Sequence, residues 1–390
     1  MGKKNTLTWK DALFCSGDYR TKFLKIIDYY IGGLFCVILK TFGTRKAEFN
    51  KNAVYRILII RPGGIGDAVL LTPFIKEIND IFRNATIDML IEKRNAEVFS
   101  LLENKMGSVF YYDNLIKLPF IFYTLKKNNY DIIFDTEQWH AFTAVFSYIV
   151  GRKIRVGFDT RPQRSFLYTN LVPYSQRKYE TQNFLQMLKA LFPDYAIRQT
   201  PLPFISLSDS FISWGKKVIA HDKLIAICLS ASIREKFWGI DNFRNLANFL
   251  IDRNYAIVFL GGKKEKGLFR AIFEGIVKKE YIFDFVGKTT LCQTAALIKS
   301  TKFYIGLDTG ILHIAYALGV PTVSLFGPVD KDKWAPPGKE HIAICKGLTC
   351  SPCSLFGYTP HCKKLSCMNE IKVNDIILEI EELELIMKNE

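Results

Sequence analysis

The chain has 390 residues, 49% of them hydrophobic, which excludes a largely disordered polypeptide and leaves room for two domains with a core each. Its formal net charge of +15 calls for an anionic partner or serves solubility alone. No RRM, zinc-finger or helix-turn-helix pattern accompanies that charge, so nucleic acid is set aside in favour of phosphorylated lipid.

Residues 1–50 read as a separate segment. Phe23, Leu24, Ile26, Ile27, Ile31, Leu34, Phe35 and Ile38 recur at spacings of three and four, while Lys25, Asp28, Tyr29, Gly32 and Cys36 share the opposite side. That pattern predicts an amphipathic helix. Only Tyr29–Leu39 is free of charge, too short to span a bilayer but suited to its interface, where Lys22, Lys25, Lys40, Arg45 and Lys46 would meet anionic headgroups. The alternative is a helix packed on the protein's own surface. No small-residue cleavage site follows, so no secretory signal is expected.

Residues 51–198 read as a first α/β domain. The buried-type strand Tyr55–Arg61 runs into Pro62-Gly63-Gly64-Ile65-Gly66-Asp67 and a helix over Ile65–Arg83. Gly64 and Gly66 match the first two glycines of G-x-G-x-x-G, but Val69 takes the third place, so this strand, glycine loop and helix are not a dinucleotide fingerprint, and they gain meaning only from the second such turn about 240 residues on. Asp67 is either an N-cap or a carboxylate projecting beyond the sheet. Strands follow at Thr86–Ile91, Ser108–Tyr112, Asp131–Asp135 and Lys153–Gly157, with helices at Ala141–Val150 and Glu180–Leu191. Arg152, Lys153, Arg155, Arg161 and Arg164 cluster after the first of these helices, as either solvated surface or forks for phosphate and carboxylate groups of an acceptor. Glu137, Gln138 and His140, just past a strand end, are further candidates.

Pro201, Pro203 and three serines mark residues 199–222 as the linker. Residues 223–390 repeat the alternation, with strands at Leu224–Leu229, Ala256–Leu260, Tyr281–Phe285, Phe303–Leu307 and Thr322–Leu325 and helices at Asn242–Asp252 and Leu291–Ser300. The fourth strand runs into Asp308-Thr309-Gly310-Ile311-Leu312-His313 and a helix that reaches Ala317. Free N–H groups at that helix start suit an anion: Thr309 and Gly310 offer backbone donors, Asp308 is available for a hydroxyl, and His313 sits one turn in. An Asp N-cap and a satisfied helical histidine are the plainer alternative. Near the C-terminus, residues 345–367 form a cysteine-rich loop. Cys350, Cys353, Cys362 and Cys367 have spacings that permit a structural zinc site, two disulfides, or four reduced thiols.

Arg61–Pro73, Lys236-Phe237-Trp238, Leu260-Gly261-Gly262, Gly306–Ala315 and Gly319–Pro328 together carry a resemblance to the heptosyltransferase family, glycosyltransferase family nine, from about Tyr55 to the C-terminus. The family's usual proline after the tryptophan is Gly239 here. The resemblance implies an α/β fold of the GT-B type, two Rossmann-like domains facing across a cleft, here preceded by the amphipathic helix. It implies inverting transfer of heptose from ADP-heptose to a lipopolysaccharide core acceptor by an enzyme that needs no cofactor for catalysis. Asp67 would be the general base, and Gly64, Gly66, Lys236, Asp308, Thr309, Gly310 and His313 would hold the donor. Glu137, Arg152, Arg155, Arg161 and Arg164 are the acceptor candidates. The expected place is cytoplasmic, peripheral on the inner face of the bacterial cytoplasmic membrane, with nucleotide sugar, lipid-linked glycan and anionic membrane surface as partners. The rival readings are a GT-B enzyme with another nucleotide sugar and a non-catalytic sugar-nucleotide or nucleic-acid binder; a dehydrogenase is disfavoured by Val69.

Overall fold

A computed structural model describes residues 19–44, 48–102, 106–112, 118–151 and 153–388. Arg45, Lys46 and Arg152, singled out above, lie outside the described residues. The chain forms two compact units, Met1–Thr200 with Leu355–Tyr358, and Pro201–Ser354 with Thr359–Glu390.

The first unit is a six-stranded parallel sheet in the order β3-β2-β1-β4-β5-β6. Its strands are β1 (Arg56–Arg61), β2 (Thr86–Ile91), β3 (Val109–Tyr111), β4 (Ile132–Asp135), β5 (Ile154–Asp159) and β6 (Asn170–Pro173). Ile57, Leu58, Ile59 and Ile60 are all buried, as an apolar run in a sheet covered on both faces must be. β1 lies between β2 and β4, with Ile60 level with both Leu90 and Asp135. The strand order reverses there, so the loops leaving β1 and β4 open at the place where α/β sheets bind ligands. β6 is absent from the sequence-based set of strands because only Leu171 and Val172 separate Asn170 from Pro173, too short an apolar run to register.

The longer helices of this unit are α1, α2 (Ile65–Ile81), α3 (Leu118–Lys127), α4 (Ala141–Val150) and α5 (Glu180–Gln186). Helix α1 runs over Tyr19–Ile27, passes through a π turn at Asp28–Gly32, and continues over Gly33–Lys40. It docks with its small and polar side inward. Asp28, Gly32, Gly33 and Cys36 are buried, while Phe23, Leu24, Ile31, Leu34, Phe35 and Ile38 are exposed. A side chain at Gly32 would meet the Ala141 Cβ at 3.1 Å, so the glycine is what lets the two helices approach. α4 has no side-chain cap from its own N-cap residue, His140. Asp28 supplies one from 113 residues away, accepting from Ala141 N at 3.0 Å and from Phe142 N at 2.9 Å. Arg161 secures the same junction by donating to the Tyr29 carbonyl at 2.9 Å.

The second unit repeats the plan in the order β12-β11-β10-β7-β8-β9. Its strands are β7 (Leu224–Cys228), β8 (Ala256–Leu260), β9 (Ile282–Asp284), β10 (Tyr304–Leu307), β11 (Thr322–Leu325) and β12 (His341–Ile344), and its reversal falls between β7 and β10. The longer helices are α6 (Asp209–Val218), α7 (Ile240–Asp252), α8 (Lys266–Glu274), α9 (Leu291–Lys299), α10 (Gly310–Ala317) and α11 (Val373–Lys388). α6 falls inside the expected linker. Gly215 lets it lie on α9, since a Cβ there would meet the Ala296 carbonyl at 2.5 Å. Trp238 is fully buried, packs edge-on against Phe243, and donates from Nε1 to the Ile371 carbonyl at 2.8 Å. That bond fixes the chain just ahead of α11 and identifies the tryptophan as core.

Candidate active site

In the first unit, the loop after β1 turns at Gly63, whose φ of +100° favours glycine, and enters α2 with Asp67 in the first helical turn. Arg61, 2% exposed, reaches across the switch point: Nη1 donates to the Thr136 carbonyl at 2.7 Å, and Nη2 lies 3.5 Å from Asp67 Oδ1 and 3.6 Å from Glu137 Oε2. Gln138 Nε2 donates to Glu180 Oε1 at 2.6 Å and to Asp67 Oδ1 at 3.4 Å. Tyr174 completes the set, its hydroxyl donating to Glu180 Oε2 at 2.9 Å. Burial raises the Asp67 carboxyl above its ordinary range; Arg61 opposes this, and Glu180 and Glu137 add to it. Such a group suits proton abstraction better than an ordinary exposed aspartate. Its side chain keeps 21% exposure, so a ligand hydroxyl has a way in.

The loop after β4 carries the acceptor candidates. Glu137 accepts from Trp139 N at 3.0 Å and His140 N at 3.4 Å; although burial opposes ionisation, His140, Arg61 and Arg164 hold its carboxyl below the usual range. Trp139 stacks on Phe356 at 4.7 Å, and its Nε1 is buried without a hydrogen-bond partner. The arginines depart from expectation. Arg155 donates to the Leu167 carbonyl at 2.9 Å. Arg164, fully buried, binds Asp135 Oδ2 at 3.2 Å, the Glu137 carbonyl at 2.8 Å and the Tyr168 hydroxyl at 2.8 Å. Arg161 holds the Tyr29 carbonyl. All three point inward and tie loops together, which leaves Glu137, on the loop after β4, as the acceptor candidate among the described residues. Sequence reasoning passed over Arg61 as a motif letter and Glu180 as a helix start, because neither reveals its partner from position alone.

In the second unit, Thr309 is the extended N-cap of α10, with Gly310 its first residue. Lys236 comes to the same place from the loop after β7, its Nζ 2.5 Å from Asp308 Oδ2 and 3.0 Å from the Asp308 carbonyl. His313 is 2% exposed, and its Nδ1 has no hydrogen-bond partner. Burial lowers its pKa to about 4, with Asp308 opposing and Lys236 reinforcing the shift, so the ring is neutral at physiological pH. A lysine, an unused neutral imidazole and free helical N–H groups together fit a phosphate-bearing ligand. Lys236, Asp308, Thr309, Gly310 and His313 are thus brought together, whereas Gly64 and Gly66 belong to the first unit with Asp67. Gly239 has φ +103°, a conformation closed to proline, so the residue after Trp238 here makes a different turn from the proline of the family pattern.

The cysteine loop does not assemble the zinc set. Cys350, Cys353, Cys362 and Cys367 are free thiols, and among the described residues no three His, Cys, Asp or Glu side chains are grouped to hold a metal ion. Cys362 Sγ instead accepts from Leu365 N at 3.4 Å. Burial first and neighbouring thiols second raise Cys353 to about 11.

The family model described as glycosyltransferase family 9 (heptosyltransferase) matches residues 121–360. Lipopolysaccharide heptosyltransferase 3 of Escherichia coli K12 is 28% identical over 70% of this chain and 82% of its own length. The structure of E. coli ADP-heptose LPS heptosyltransferase II superposes with a TM-score of 0.67 at 20% identity, covering 85% of this chain and 99% of that one. That of a family 9 glycosyl transferase from Veillonella parvula gives 0.74 at 17% identity, covering 87% and 99%. At such identities the structural likeness shows the fold, the GT-B architecture of two Rossmann-like domains, and the family match carries the activity: the chain belongs to glycosyltransferase family 9, the heptosyltransferases, and is a glycosyltransferase.

Proposed function

We propose that the protein transfers heptose from ADP-heptose to a lipopolysaccharide core acceptor, with inversion and with Asp67 as general base. The observation that carries the reading is the raised, partly accessible Asp67 carboxyl held between Arg61 and Gln138. In this mechanism the acceptor hydroxyl gives its proton to Asp67 as its oxygen bonds to the anomeric carbon, and the bond from that carbon to the ADP oxygen breaks. Lys236 and the first N–H groups of α10 stabilise the negative charge that develops on the pyrophosphate, a task that elsewhere falls to a divalent cation. Neutral His313 donates or accepts one hydrogen bond to the donor, and Asp308 takes a sugar hydroxyl. Glu137 and the unused Trp139 Nε1 contact the acceptor sugar.

The donor named for a solved relative is ADP-heptose, and the acceptors named for curated relatives are lipopolysaccharide and lipooligosaccharide. We place the reaction at the cytoplasmic face of the inner membrane, with α1 resting on the lipid. No described helix is long and apolar enough to cross a membrane. The test is a thermal-shift series: a donor at a hundredfold excess over its dissociation constant stabilises by about 2.7 kcal/mol. ADP-heptose should shift the melting curve where UDP- and GDP-sugars do not. A shift with a UDP-sugar alone overturns the heptose assignment.

A further inference from the structure

Helix α1 is inside out relative to an ordinary surface helix, and its two neighbours, apolar where they meet the core, carry apolar side chains on the outside as well. The crossovers β3-α3-β4 and β4-α4-β5 run in the same direction across the first sheet, so their right-handedness puts α3 and α4 on one face. Phe122 of α3 stacks on Phe146 of α4 at 3.7 Å, and α1 crosses α4 at Gly32 and Cys36, where Cys36 Sγ donates to the Ala141 carbonyl. The three helices therefore form one layer. Its outer side carries Phe120 and Tyr123 from α3, 71% and 67% exposed, Phe142 and Ile149 from α4, and Leu34 and Phe35 from α1.

Charge selects the occupant of this layer. α4 contains no charged residue, α3 only Lys126 and Lys127, and the one carboxylate in all three helices, Asp28, is buried. Lys22 and Lys40 add to these, so apart from buried Asp28 every charged residue on the three helices is a cation. Two copies of the chain meeting through this face would bring those cations together without a counter-charge, whereas anionic headgroups satisfy them while the aromatic and aliphatic side chains enter the interface. We propose that α1, α3 and α4 together form a seat on an anionic lipid bilayer. This deepens the reading of a lipid-anchored acceptor and rests on it. The seat is not a flexible tether: through Asp28 and Arg161 it is fastened to the start of α4, directly after the loop that carries Glu137 and Gln138. Bilayer depth and the acceptor loop are therefore set by one rigid element.

The test measures co-sedimentation of the full chain with phosphatidylglycerol-containing vesicles and with pure phosphatidylcholine vesicles, alongside ADP affinity. Two double variants remove exposed side chains only: Phe35→Ser with Ile38→Ser on α1, and Phe120→Ser with Tyr123→Ser on α3. The wild type should prefer the anionic vesicles, and each variant should bind them about tenfold more weakly, with ADP affinity and melting temperature unchanged. If the α3 variant binds like the wild type, the three-helix seat is wrong. If the wild type ignores vesicles and instead dimerises in a way the variants abolish, a second copy is the occupant and the proposal fails. Transfer to detergent-dispersed acceptor separates the two readings: its absence in the wild type, with vesicle binding intact, overturns the proposed reaction and leaves the seat standing.

Discussion

At the carboxyl edge of its sheet the first unit buries carboxylates among arginines, whereas the second buries a neutral imidazole beside a lysine. Asp67, Glu137 and Glu180 share Arg61 and Gln138, and close by His140 is held protonated beyond its ordinary range: burial opposes its charge, but Glu137 and Asp28 outweigh it. His313 has only Asp308 in favour of its charge, and burial together with Lys236 outweighs it. One topology thus yields two electrostatic environments. The first keeps a carboxyl raised above its ordinary range, and the second sets a lysine and a neutral imidazole at a helix N-terminus. The difference comes from the loops, since both sheets place their switch points alike.

Asp67→Asn tests the first half of the contrast most severely. Transfer should fall by roughly 10²–10⁴-fold, while ADP titration gives wild-type affinity. Near-normal turnover would reduce Asp67 to a capping residue. Asp28→Ala should come next, costing about 3 kcal/mol by removing the cap of α4 and leaving Arg161 and His140 without their buried partner; chemical denaturation reads this, and an unchanged midpoint would show that the junction contributes little. Lys236→Ala should weaken ADP binding about tenfold, as well as slowing transfer. Equal ADP affinity in variant and wild type would remove the lysine from the phosphate site.

The smallest effect is in pH dependence, where the two histidines have opposite signs. The folded pKa of His313 lies below its unfolded value, so the unfolded chain binds the extra proton first, and stability falls as pH drops from about 6.5 to about 4. His140 is raised, so its contribution is complete below about 6.5 and is lost as pH climbs through its folded value. Melting temperature against pH should therefore lose part of its acid-side slope in His313→Gln and part of its neutral-to-alkaline slope in His140→Gln. His341, also lowered to about 4 by burial, keeps the acid-side slope from vanishing. Identical profiles in wild type and both variants would remove the contrast.

The strand-loop-helix turns at Arg61–Asp67 and Leu307–His313 were legible because each combines a short apolar strand, a glycine and a helical period in consecutive residues. Lys236 was legible only through the family resemblance. The inward turn of Arg155, Arg161 and Arg164 was not, because a run of basic residues says nothing about which carbonyls lie behind it. Edge strands β6 and β12 escaped for want of apolar length, and α6 was hidden by the prolines and serines around it. The helical period of α1 was plain. Which side faces the protein was not, because Gly32, Gly33 and Cys36 become a packing surface only once Ala141 is known to lie against them.

The cap of α4 also has a consequence in time. Synthesis runs from the N-terminus, so Asp28 is made 113 residues before the amides it receives. Until Ala141 and Phe142 emerge, that carboxylate has no N–H groups to accept from and α1 has no α4 to lie on. α1 therefore docks late, on a nearly complete first sheet, a closure of high sequence separation and correspondingly slow. During that interval its apolar side chains face solvent or a lipid surface with equal freedom, and if the proposed seat holds, a nascent chain that meets a bilayer first would complete its fold already seated there.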